Sequence, residues 1–214
     1  MEQSQNKLGT MPIGRLLAVM SVPMMVSMFI QALYNVVDSM FVAKISEEAL
    51  AAVSLAYPMQ NIITAIGVGT GVGITALVPA SLGRGDQEMA ERAANVQNFL
   101  SLCYSVAFVF TGLIFTDVYY TMQTKDQAII SAGVSYLRII CLVSAGAFFG
   151  QGLEKLLVAT GNSALSMISQ ATGAVMNIIL DPLLIFGIGP FPEMGVAGAA
   201  AATVIGQIAA AILA

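Results

Sequence analysis

The sequence has no histidine, only two cysteines, and just 8 basic and 12 acidic side chains in 214 residues. Without histidine there is neither a Ser-His or Cys-His nucleophile pair nor an imidazole metal ligand. Cys103 and Cys141 lie in apolar stretches with no partner pattern of Cys or His, so they suggest neither metal nor disulfide and read as small buried hydrophobes. No P-loop occurs either. The run GVGTGVG at 67–73 is a glycine pattern inside an apolar stretch, not a strand-to-helix turn, so nothing implies a nucleotide site or energy from ATP. No Ser, Cys or acidic grouping has catalytic spacing. An enzyme is not expected, nor a cofactor, nor a nucleic-acid partner.

What fills the space left by charge is apolar: 57% of residues are hydrophobic, 9% are charged, and the mean hydropathy is +0.85. That balance lies far from the usual globular mix. The charges bunch into short clusters, and the stretches between them are long enough to cross a bilayer, which takes about 20 apolar residues. Six spans follow, at 16–43, 49–80, 93–116, 127–153, 163–188 and 195–214, after an N-terminal segment at 1–15. The expected class is all-α, a polytopic membrane protein of six transmembrane helices. A β-barrel would need alternating segments of about ten residues, whereas these spans are continuously apolar. No cleavage-site pattern follows the first span, which reads as a retained helix. The sequence stops at Ala214 inside an Ala-rich stretch with no anchoring basic or aromatic residue, and so reads as truncated. Six-helix carriers and channels remain alternatives at this level.

Orientation comes from basic residues in short loops. The N-terminus and the second and fourth loops carry Lys7, Arg15, Arg84, Arg92 and Lys155, against Lys44 and Lys125 on the other side. The bias predicts a cytoplasmic N-terminus in an inner, cytoplasmic membrane. Gly67, Gly69, Gly71 and Gly73 form two overlapping GxxxG pairs and Gly146 with Gly150 another, a spacing that lets helices approach closely and that would also permit bending. The 13 Met and 10 Phe side chains either line an adaptable cavity or face lipid and core.

Chemistry should reside where charge violates the pattern. Asp38, Arg138 and Asp181 fall well within spans, and a charge at the bilayer centre costs roughly 2.5 to 3.5 kcal/mol on the mildest scale. Such an acid binds a cation, carries a proton or pairs with an internal base, and the pairing alternative here is Asp38 with Arg138. Gln31, Tyr34, Asn35 and Asp38 stand at i, i+3, i+4 and i+7, a polar stripe that Ser27 and Pro23 continue and that should line a cavity. On the fifth span Asn177 and Asp181 share a face, and Pro182 frees the carbonyl of Ile178. At 1.5 Å per residue Asp38 and Asp181 both lie about 27 to 33 Å from the cytoplasmic ends, with Tyr136 about 14 Å below the external end. The three can share one pocket. Carboxylates, an amide and a hydroxyl suit an alkali cation, and the same cluster can hold a proton, so the two would compete.

The run from Pro23 to Asp38, the glycine-rich second span ending in Gly83-Arg84-Gly85-Asp86 followed by Ala90 to Ala94, and Asn177-Ile178-Ile179-Leu180-Asp181-Pro182 together resemble the multidrug and toxic compound extrusion (MATE) transporters, most closely their DinF-like branch. The resemblance implies that residues 16–214 are the N-terminal six-helix lobe of a V-shaped twelve-helix fold, with a second six-helix lobe as partner. It also implies a secondary antiporter that exports amphipathic or cationic drugs in exchange for Na⁺ or H⁺. By that resemblance Asp38, Asn177 and Asp181 form the cation or proton site, Tyr136 extends its hydrogen-bond network, Thr203 is a further hydroxyl ligand, and Na⁺ would sit among Asp38, Asn177, Asp181 and Thr203. Pro23 marks a helix bend. Gln31, Tyr34 and Gln151 face the drug path; many relatives have Asn at the last position. Two other functions compete: a lipid-linked oligosaccharide flippase, which would want a more cationic cavity than Arg138 alone offers, and a non-transporting helical scaffold, which leaves the two acids unexplained.

Overall fold

In a computed structural model that describes residues 11–214, those residues form eight helices and no strand. They are α1 (Ile13–Ala43), α2 (Glu47–Gly83), α3 (Gln87–Ile114), α4 (Thr116–Gln123), α5 (Gln127–Leu142), α6 (Ala145–Ala159), α7 (Ser163–Ile185) and α8 (Val196–Leu213). The expected N-terminal segment 1–15 lies mostly outside the described residues. Five of the described helices are long and apolar enough to cross a membrane, and α5 with α6, a pair bent by 49°, meets the same measure when the two are taken as one span. The fourth span expected at 127–153 is thus two helices, and it runs on to Ala159. The break falls at Val143-Ser144, ahead of a glycine-rich segment, a composition at which helices kink readily. The Ser101 hydroxyl of α3 meets the Phe148 carbonyl at 3.2 Å and so fixes the new course of α6.

Local signals place the helix starts. Ser46 accepts from the Ala49 amide at 3.1 Å, and Glu47 and Glu48 follow at the positive end of the α2 dipole. Asp86 and Asp126 cap α3 and α5 in the same way. Between α2 and α3 the chain reverses in three residues, and Gly85 at φ 75° supplies the left-handed conformation that turn needs. The short helix α4 was not expected. It is held to α2 by Tyr119 and Tyr120, whose hydroxyls donate to the carbonyls of Leu55 (2.8 Å) and Ala52 (2.7 Å).

The packing order places the cavity. α7 lies between α1 and α8, while α2, α3, α5 and α6 form the opposite part of the bundle and α6 also touches α8. α1 meets the rest chiefly through α7, and only Ser27 and Val42 of its residues are buried. It continues as one helix through Pro23. The proline cannot donate to the Val19 carbonyl one turn back, and the Ser163 hydroxyl at the start of α7 approaches that freed oxygen at 3.5 Å.

The glycines divide unequally. A Cβ on Gly67 would stand 2.5 Å from Gln151 Oε1 and one on Gly71 2.5 Å from Lys155 Cγ, so this pair forms a notch on α2 that seats two side chains of α6. Gly69 and Gly73, a turn-face away, have nothing within 4 Å. One of the two expected GxxxG pairs is therefore a contact and the other is not, because a helix buries a single stripe. Gly71→Leu should lower thermal stability in detergent by about 1 to 3 kcal/mol, whereas Gly73→Leu should change it by less than about 0.5 kcal/mol. Equal losses would mean that the notch is not a packing feature.

Cys141 is buried as expected, but Cys103 is exposed. It shares its face of α3 with exposed Phe99, Leu102, Val106 and Phe110, an apolar stripe turned outward in a protein whose solvent on that side is lipid.

Candidate functional site

Two polar helix faces meet in the bundle. On α7, Asn177 and Asp181 are 2% and 0% exposed. The Asn177 amide donates to Asp181 Oδ1 and to the Thr203 hydroxyl of α8, each at 3.3 Å. Asp38 on α1 comes so close that its carboxyl and that of Asp181 are within hydrogen-bond reach of each other. Three buried oxygens then have no donor: Asp38 Oδ1, Asn177 Oδ1 and Asp181 Oδ2. Unsatisfied buried acceptors normally cost about 1 to 3 kcal/mol each, more when charged, so three together ask for a proton or a cation. Among the described residues no three His, Cys, Asp or Glu side chains converge, which leaves two carboxylates supplemented by neutral amide and hydroxyl oxygens. That hard, oxygen-only set suits an alkali cation or a shared proton.

Around this pair stand two tyrosines. Tyr136, 2% exposed, accepts from the Gln60 amide at 2.8 Å and lies near enough to Asp38 and Tyr34 to feel their charge. Tyr34 lies within hydrogen-bond reach of Gln31 and near enough to Asp38 and Asp181 to feel their charge. Gln60, next to Asn61 in an otherwise largely apolar stretch of α2, is an addition to the network. Asn35, expected on the same stripe, is exposed; at i+4 from Gln31 it falls on the far edge of the α1 face turned to α7.

Next to the pair opens a cavity of about 400 Å³ bordered by α1, α2, α6, α7 and α8. Gln31 and Tyr34 enter it from α1, Gln151 from α6, and Asn177 and Thr203 from α7 and α8, so the last two belong to the cavity and to the carboxylate cluster alike. Every sequence-expected site residue in the bundle interior is thus gathered in one region. Of the methionines Met24 and Met28 line the cavity and no phenylalanine does, while Met25, Phe29 and Met40 on the same helix are exposed apolar surface.

Two expectations about charge are corrected. Arg138 does not pair with Asp38: its guanidinium binds Asp117 on α4, and both side chains are substantially exposed, 41% and 60%. α4, which brings Asp117 over the outer end of α5, could not be read from the spacing, and so neither could the partner. Lys155, counted with the inner loops, instead lies inside α6 and lines the cavity together with Glu154. The charged doublet stands just past residue 153, where the span was expected to end. The helix carries on past them because the cavity, not lipid, receives them.

The MatE family model matches residues 23–183. The chain belongs to the MatE family. Its MatE relatives include the FAD transporter of Shewanella oneidensis (29% identical over 206 residues, 93% of this chain and 44% of the relative). They also include the probable multidrug resistance protein YoeA of Bacillus subtilis (29% over 216 residues, 98% and 46%) and the multidrug export protein MepA of Staphylococcus aureus (25% over 202 residues, 94% and 44%). Among solved structures it resembles a MOP superfamily transporter from Pyrococcus furiosus, with TM-score 0.86 and 29% identity over 92% of this chain and 43% of that one. An outward-facing multidrug resistance MATE family transporter matches with the same values. The chain spans about half the length of the relatives it matches. Its helices correspond to one half of a MatE transporter, an all-helical, multi-pass membrane architecture, and MatE proteins are transporters rather than enzymes.

Proposed function

We propose that this chain is the N-terminal lobe of a secondary antiporter in the cytoplasmic membrane that exports organic cations in exchange for Na⁺ or H⁺. The observation that carries this reading is the set of three donorless oxygens on Asp38, Asn177 and Asp181 at the edge of a cavity large enough for a drug-sized molecule. An ion or proton among those oxygens draws α1 to α7; its loss lets the two carboxylates repel. Since α1 meets the bundle mainly through α7, occupancy of the pair controls how α1 closes the cavity. Binding at the two places is thereby linked, and a coupling of about 1 to 3 kcal/mol would alter cargo affinity about 5- to 150-fold. Thr203 supplies a neutral fourth oxygen, and Pro23 is the point on α1 where the internal ladder lacks one bond and bends most cheaply.

A flippase for anionic lipid-linked sugars is less favoured: Arg138 is committed to Asp117 outside the cavity, leaving Lys155 as the one basic residue among the described residues that line it. An anionic dinucleotide cargo, as the name of the Shewanella relative indicates for that protein, meets the same objection.

Proteoliposomes containing the intact protein test this directly. An imposed Na⁺ or proton gradient should drive tetraphenylphosphonium against its own gradient, at about tenfold or more over the rate without one. Transport indifferent to both gradients refutes the antiport reading. Gradient-driven movement of flavin dinucleotide but not of tetraphenylphosphonium refutes the choice of cargo.

A further inference from the structure

Among the described residues that line the cavity, Glu154 is the one carboxylate; Asp38 and Asp181 stand beside the cavity and not in its lining. Glu154 and Lys155 are the charged residues among its described lining; successive helix positions point about 100° apart, and the Lys155 charge still acts on Glu154 although the two form no ion pair. The stem of Lys155 is seated in the α2 notch at Gly71. Glu154 turns to the α7 side, where its carboxylate is within hydrogen-bond reach of Gln170. No ion pair within 4 Å neutralises it among the described residues, where the two salt bridges are Arg92 with Glu88 and Arg138 with Asp117. Beside it, Gln151 Oε1 is buried without a donor.

Glu154 is also distant from the coupling pair. Its α7 neighbour Gln170 lies eleven positions before Asp181, about 16 Å along the helix, so Glu154 occupies the opposite end of the cavity. An unpaired carboxylate in a low-dielectric recess is costly unless something positive visits it. The wall between the two ends mixes side-chain amides with Met24, Met28 and Val68. That surface fits an amphipathic body whose positive centre rests at one end.

We propose that Glu154 is a specificity-determining cargo contact: its carboxylate holds the positive centre of an organic cation in this cavity, separately from the ion-coupling pair. The inference rests on the cation-export reading and adds to it a residue and a place. Binding thus selects by charge at the Glu154 end, while shape and apolar area contribute through the middle of the cavity.

The test compares tetraphenylphosphonium with triphenylphosphine oxide, an uncharged ligand of similar bulk, by equilibrium binding to the intact protein in detergent. Glu154→Gln keeps the shape and the hydrogen-bonding reach towards Gln170 while removing the charge. In the variant the ratio of cation affinity to neutral-ligand affinity should fall about tenfold or more. A ratio within about twofold of wild type in a variant that still binds the neutral ligand overturns the inference. Binding of the neutral ligand at near wild-type strength certifies that the variant is folded. If the wild-type protein binds triphenylphosphine oxide but not the phosphonium, the cation-export reading itself fails and this inference with it, an outcome distinct from a wild-type preference that survives the substitution.

Discussion

Asp181→Asn in the intact protein is expected to bring gradient-driven cargo accumulation down to the level seen without a gradient, a loss of about 5- to 150-fold if the coupling has its usual size. Asp181 is fully buried; one carboxylate oxygen accepts from Asn177 and the other has no donor. Asparagine fills the same space but brings an amide N–H₂, which donates to Asp38 and satisfies permanently what an ion or proton would satisfy reversibly. The helices α1 and α7 then remain joined whatever the gradient. Asp38→Asn should act alike from the other side. Both variants should still fold, since the change removes a buried charge and adds no volume. Measured ²²Na⁺ binding, and proton release on cargo binding if sodium does not bind, should disappear together with coupled transport. Either variant exchanging ions for cargo at the wild-type rate would remove the carboxylate pair from the mechanism.

The second large effect concerns the joint between α7 and α8. A Cβ on Gly206 would stand 2.7 Å from the Gly173 carbonyl oxygen, and one on Gly173 would stand 2.8 Å from that of Gly206. Both obstacles are backbone, so neither can turn aside as a flexible side chain would. Gly206→Leu must push the two helices apart by a side-chain's width. That separation breaks the 2.6 Å bond from the Ser169 hydroxyl to the Ala210 carbonyl and the 3.3 Å bond between Asn177 and Thr203. Without an aqueous hydrophobic effect to restore contact, close backbone packing is much of what holds these helices together. Gly206→Leu should therefore cost more than about 3 kcal/mol, the upper end for overpacking, and yield little monodisperse protein in detergent. Gly69→Leu, which meets nothing within 4 Å, is the matched control and should melt like wild type. Wild-type stability and ion binding in Gly206→Leu would show that the joint tolerates separation.

The contrast between these glycines marks where a sequence reading ends. Gly67, Gly69, Gly71 and Gly73 have the recognisable spacing, yet half of them face open surroundings. Gly173 and Gly206 lie on different helices, so no motif joins them, and they bring the backbones of α7 and α8 into close approach, as Gly198 does against Leu184. Spacing within one helix records which residues share a face; it carries no record of which face is turned inward. Arg138 failed for the same reason. Its partner Asp117 comes from α4, an eight-residue helix too short to leave a periodic signal.

The sequence by itself determined the membrane-spanning class, the six crossings and the polar face carrying Gln31, Tyr34 and Asp38, because each follows from period and polarity along a single helix. It also singled out Asp38, Asn177 and Asp181, since charge and amides in an apolar span have few reasons to exist. Only the tertiary structure decided that Gln60 joins them, that Arg138 turns outward to Asp117, and that Glu154 belongs to a cavity wall and not to a loop. Those outcomes depend on how separate helices cross, and crossing is set by side-chain and backbone fit between segments distant in the chain.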